Sequence, residues 1–145
     1  MGAEEQSSTR EIWVVDDEPL IRAAMVAVLN EVGYETRAFD GPEGLYVALV
    51  DGGRPNLLIL DHMMPVESGS TIVRSLRERP EYQDIPVLFV TAVGDDGAER
   101  LSDLAPVLTK PFDFRDFLAA VREQLGETDS TLADSLFPGT ESSPG

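Results

Sequence analysis

Four short stretches each end an apolar run on a group that can do chemistry. Ile12-Trp13-Val14-Val15 leads into Asp16 and Asp17, and Leu57-Leu58-Ile59-Leu60 leads into Asp61. A third run reaches Thr91 and Ala92, and a fourth reaches Lys110 and Pro111. Three carboxylates brought within a few ångströms repel one another unless they hold a cation or a proton. Hard oxygen donors with positions left for water and a phosphate suit Mg²⁺. Asp61 can then act as a nucleophile and form an acyl phosphate. Phosphoryl transfer needs charge neutralisation more than covalent help, and Mg²⁺ with the Lys110 ammonium would supply it from two sides. Thr91 offers a hydroxyl to a phosphoryl oxygen, and the small Ala92 leaves room for the group.

The residues after Asp61 raise a competing chemistry, since His62, Met63 and Met64 are soft-metal ligand types. His62 is the only histidine. Three adjacent loop residues without a second His do not offer copper a coordination geometry. The Met63 and Met64 thioethers are therefore not read as ligands, and His62 is left to face an incoming phosphodonor. One histidine also makes a Ser-His-Asp triad implausible, and no Gly-rich phosphate loop marks a nucleotide site.

Composition narrows the partners. With 27 acidic and 11 basic residues, the formal net charge of −16 opposes direct DNA binding and docking on an anionic membrane. The absence of cysteine removes disulfides and thiolate metal sites. No apolar run reaches the roughly 20 residues of a membrane span, and the polar start MGAEEQSSTR lacks a signal-peptide core. A cytoplasmic location is the expectation.

These groups must be held by elements the pattern makes visible. The runs at 12–15, 57–60, 86–90 and 106–109 are continuous apolar strands, while Tyr34–Phe39 alternates as an outer strand. Pro19 opens a helix on which Leu20, Ala23, Ala24, Ala27, Val28 and Val32 recur until Gly33. Helices follow with Leu45, Ala48 and Leu49, and with Ile72, Val73 and Leu76. A short one spans Asp95–Leu104. A last one is capped by Asp113, buries Phe114, Phe117, Leu118, Val121 and Leu125, and stops at Gly126. Five strand–helix units with strands apolar on both faces predict an α/β fold, a doubly wound five-stranded parallel sheet with helices on both faces. A closed barrel would need about 250 residues. The expected organisation is a flexible segment at 1–10, one domain at 11–126 and a disordered acidic tail at 127–145.

The stretches VVDDEP, LLILDHMMPVESG, FVTA and LTKPF, in that order, resemble the motif set of the response-regulator receiver domain of two-component signalling, over Glu11–Gly126. The resemblance implies a flavodoxin-like sheet of order 2-1-3-4-5. It implies Asp61 as phosphoacceptor, with Asp16, Asp17, Asp61 and the Met63 carbonyl around Mg²⁺. Thr91 and Lys110 become the phosphoryl-sensing pair, with a cis Lys110–Pro111 bond. The donor would be a histidine kinase or histidine phosphotransfer protein. Output would pass to an unidentified protein through the helix before the fifth strand, that strand and the final helix. The protein would be a stand-alone switch rather than a metabolic enzyme, either a monomer or a phosphorylation-linked dimer.

Departures from the family pattern sharpen this. Val107 stands where the family usually carries an aromatic ring that moves with the Thr. The segment from Thr91 to Lys110 is short, and Leu104-Ala105-Pro106 replaces a Gly-containing turn. Phosphorylation is thus expected to order Gly94–Leu104 rather than flip a ring. Met63 and Val93 cannot orient a hydrolytic water, which predicts a persistent phosphorylated state. Three alternatives stand beside the switch: a haloacid-dehalogenase-like phosphohydrolase using Asp61, a relay or phosphate-sink receiver, and a phosphorylation-independent pseudo-receiver.

Overall fold

The computed structural model describes residues 10–92 and 101–127. Along these the elements run β1 (Glu11–Val15), α1 (Pro19–Glu31), β2 (Glu35–Phe39), α2 (Pro42–Val50), β3 (Leu57–Asp61), α3 (Gly69–Arg77), β4 (Val87–Ala92), β5 (Val107–Lys110) and α4 (Phe114–Gln124). All four strand pairings are parallel, in the order β2-β1-β3-β4-β5. The expected doubly wound sheet is the one observed.

Alternation along each strand sorts side chains onto two faces. Trp13 and Val15, Leu58 and Leu60, and Val87 and Phe89 meet α2 and α3 through Leu45, Leu49, Ile72 and Leu76. Ile12 and Val14, Leu57 and Ile59, and Leu88 and Val90 meet α1 and α4 through Met25, Leu29, Phe117 and Val121. Each such side chain contributes about 1.5–3 kcal/mol on leaving water. The two cores fix the strand ends, which is what the site requires.

Several elements differ in detail from the sequence pattern. The buried side of α1 is Met25 and Leu29, with Ile21 and Val28 beside them, while Leu20 is 86% exposed. Methyl-sized Ala23, Ala24 and Ala27 fit either face, so the bulkier stripe four residues apart decides the helix rotation. β4 extends through Thr91 to Ala92 and β5 through Lys110, because their ladder continues to the pair Ala92↔Lys110. Asp113 caps α4 as expected, its carboxylate accepting from the Asp116 N–H at 2.8 Å. Gly33, at φ +104°, ends the α1 turn where an L side chain would be strained.

The short helix expected at Asp95–Leu104 lies largely outside the described residues, as do Val93 and most of the two terminal segments. Leu101 and Ala105 are buried on the α2/α3 face. Arg10 and Glu127 tie the ends of the described chain together at 3.5 Å. The Tyr34 hydroxyl donates to Glu127 at 2.8 Å. No helix of the described residues is long and apolar enough to cross a membrane.

Candidate functional site

In a doubly wound sheet the crevice opens outside the carboxyl ends of the strands, where the order reverses. Here that point is the β1/β3 pair. Val15 is in register with Leu60, so Asp16 and Asp61 leave the sheet side by side. Asp61 in turn pairs with Val90, placing Thr91 next to it, and Thr91 pairs with Thr109 just before Lys110. The groups expected at the site thus converge for a reason of register.

Carboxylate oxygens of Asp16, Asp17 and Asp61 all lie within 4.8 Å of one another. Asp16 and Thr91 are buried and Asp61 is 3% exposed, whereas Asp17 is more open. Lys110 Nζ stands 3.2 Å from Asp16 Oδ2, 3.4 Å from Glu18 Oε1 and 3.8 Å from Asp61 Oδ1. The Lys110–Pro111 bond is cis. Asp16 is held from behind: its Oδ1 accepts the Glu18 N–H at 2.9 Å, and its carbonyl accepts from Arg22 at 2.7 Å.

The electrostatics follow from this crowding. Burial and then repulsion from Asp16 push the Asp61 carboxyl up to about 7, and Lys110 and the Met63 N–H only partly oppose them. Burial pulls the Lys110 ammonium down, but Asp61, Asp16 and Glu18 outweigh it, and its pKa lies above the usual lysine range. An acidic nest that keeps one carboxyl partly protonated near neutrality is short of positive charge. Three carboxylate oxygens with solvent on one side are hard donors, and they fit a small divalent cation such as Mg²⁺. The residues that would hold it are Asp16, Asp17 and Asp61.

The β3–α3 loop clamps the end of β3. Gly69 N–H donates to the His62 carbonyl at 2.9 Å, and Ser68 Oγ caps α3 by accepting from Thr71 N–H at 3.3 Å. A Cβ at Gly69 would lie 2.8 Å from the Asp61 carbonyl oxygen and 3.0 Å from His62 Cα, so a side chain here would force the backbone to shift. Met63 N–H reaches Asp61 Oδ1 at 3.3 Å, while the Met63 side chain is 59% exposed. His62, expected to face a phosphodonor, is half-buried, sets its ring edge-on to Phe89 and accepts the Ser70 N–H on Nδ1 at 3.4 Å. Val107 packs half-buried against the α2/α3 core opposite Phe89.

Two features escaped the sequence reading. One is the reach of Glu18 to Lys110, whose signal was its place directly after Asp16-Asp17, at the foot of α1. The other is an open groove of about 960 Å³ beside the acidic nest, lined by Leu20, Ile21, Phe112 and Phe114 together with Glu18 and Lys110. Helical spacing groups Leu20 with the alanines of α1, and no spacing rule links it to Phe112.

Residues 12–122 match the family model of the response regulator receiver domain. Among curated proteins, the DNA-binding dual master transcriptional regulator RpaA of Synechocystis is 38% identical over 128 residues, covering 81% of this chain and 50% of RpaA. The chain spans about half the length of such relatives. A response regulator from Chloroflexus aurantiacus has a crystal structure that superposes with a TM-score of 0.76 at 27% identity, covering 83% of this chain and 100% of that one. The signal receiver domain of a signal transduction histidine kinase from Syntrophus aciditrophicus gives 0.71 at 28%, covering 81% and 90%.

Proposed function

Since the chain belongs to the response regulator receiver family, we propose that it is a signalling switch in which Asp61 accepts a phosphoryl group. The donor is a histidine kinase or a histidine phosphotransfer protein, and the output is binding to another protein. The observation that carries this is the buried Asp61 carboxylate, clustered with Asp16 and Asp17 and with the Lys110 ammonium 3.8 Å away. A bound Mg²⁺ would supply positive charge for the transferring group.

An Asp61 carboxylate oxygen attacks the phosphorus of the phosphohistidine. The new O–P bond forms as the P–N bond breaks, and the imidazole leaves with the bonding pair. Lys110 then moves from its carboxylate partners toward a phosphoryl oxygen, and Thr91 donates its hydroxyl to another. Burial of Asp61 limits access of hydrolytic water, and Met63 at the rim has no group to orient one. The expected outcome is an acyl phosphate that persists.

A relay role is the second reading, favoured by the likeness to a receiver that belongs to a histidine kinase. Passage of label from Asp61 onward to a histidine phosphotransfer protein would support the relay. The first test is simpler. Wild type and Asp61→Asn are incubated with Mg²⁺ and a small acyl phosphate, then weighed intact. A single phosphoryl adduct on the wild type alone is expected; none on either form overturns the assignment.

A further inference from the structure

Glu18 occupies the N-cap of α1, yet its side chain makes no capping bond to its own helix. Its backbone is fixed on both sides: the N–H is held by Asp16 Oδ1, and Pro19 follows at the first helical position. Its carboxylate meets Lys110 Nζ at 3.4 Å, and both residues line the groove. Lys110 therefore has three carboxylate partners: Asp16, Asp61 and Glu18.

These partners are not equivalent. Asp16 and Asp61 are the residues a divalent cation would take, and once their oxygens are engaged Lys110 loses its claim on them. Glu18 lies outside the three-carboxylate cluster and keeps its charge available. It is then the partner that holds Lys110 on the groove wall, away from the phosphoryl position. Its own negative charge at the foot of α1 is favoured by the helix dipole, so the pull on Lys110 does not lapse when the cation binds.

We propose that Glu18 is a positioning residue that competes with the phosphoryl group for Lys110 and so restrains phosphorylation of Asp61. The inference rests on the receiver assignment of Asp61. An exposed ion pair is worth about 0.2–1 kcal/mol. The Glu18 side chain is 65% exposed and that of Lys110 18%, so release of the pair corresponds to a rate gain of about 1.4- to 5-fold.

The experiment compares wild type, Glu18→Gln, Lys110→Met and the double variant, with saturating Mg²⁺ and a small acyl phosphate. The rate of adduct formation is read by intact mass. Glu18→Gln is expected to react about 1.4- to 5-fold faster than wild type, with no further gain in the Lys110→Met background. An unchanged or slower Glu18→Gln overturns the proposal. So does an equal acceleration without Lys110, which would mark a general charge effect. If the Lys110→Met pair reacts too slowly to score, the Cε–Hε NMR signal of Lys110 in metal-free Glu18→Gln decides. A displaced signal supports the contact and an unmoved one overturns it. Failure of the wild type to take up any phosphoryl group would instead remove the receiver assignment, and the same NMR signal would still judge the contact.

Discussion

Replacing Asp61 with Asn should stabilise the metal-free protein, although it removes the reactive group. The Asp61 carboxyl is raised from 3.8 to about 7 by burial and by Asp16, so folding favours its protonated form. The sign follows directly. A folded pKa above the unfolded one gives stability that is complete below the unfolded value and lost as pH rises through the folded value. A displacement of about three units at 1.36 kcal/mol each costs the wild type about 4 kcal/mol above neutral pH. Asn keeps the shape and lacks the charge, so it escapes this loss. Urea unfolding with a chelator present, followed by far-UV circular dichroism, should show Asp61→Asn more stable by several kcal/mol at about pH 8. The gap should close toward about pH 4, where both side chains are neutral. Saturating Mg²⁺ should reverse the order, because a ligand bound by the folded state alone stabilises it. An Asp61→Asn protein no more stable than wild type at about pH 8 without metal would refute the electrostatic account of the site.

Four further outcomes follow from the same geometry. Mg²⁺ affinity by titration calorimetry should be flat at alkaline pH and fall about tenfold per unit below about 7, as protons compete for Asp61. Gly69→Ala, whose Cβ would meet the Asp61 and His62 backbone, should cost about 1–3 kcal/mol in urea unfolding and slow adduct formation. Thr91→Ala should still form the adduct but lose it faster, read as the decay of the phosphorylated mass after donor removal. Tyr34→Phe, which strips Glu127 of a 2.8 Å hydrogen bond far from the site, should cost about 1 kcal/mol and leave phosphorylation unchanged.

Much of this architecture was legible because strand-end chemistry follows from buried runs. Leu57–Leu60 cannot be read as anything but interior, so Asp61 had to emerge at a strand end, and the parallel register set Asp16 beside it. The rotation of α1 was not legible. Alanines carry little information about which face is buried, so the spacing that groups Leu20 with them does not reveal that Leu20 lines a groove. The contacts of His62 were also hidden, since they depend on Phe89 on the neighbouring strand and on the first turn of α3. Glu18 was quoted in the motif yet given no role, because its partner Lys110 lies 92 residues away.

The central claim is that Asp61 carries the phosphoryl group, and locating that group on the chain tests it most directly. The protein is phosphorylated with Mg²⁺ and a small acyl phosphate, reduced with borohydride to convert an acyl phosphate into the stable alcohol, digested and sequenced by mass spectrometry. Reduction confined to position 61 is the predicted result. A modified residue elsewhere, whether Asp16, Asp17 or His62, or a chain that carries no acyl phosphate at all, would contradict the account.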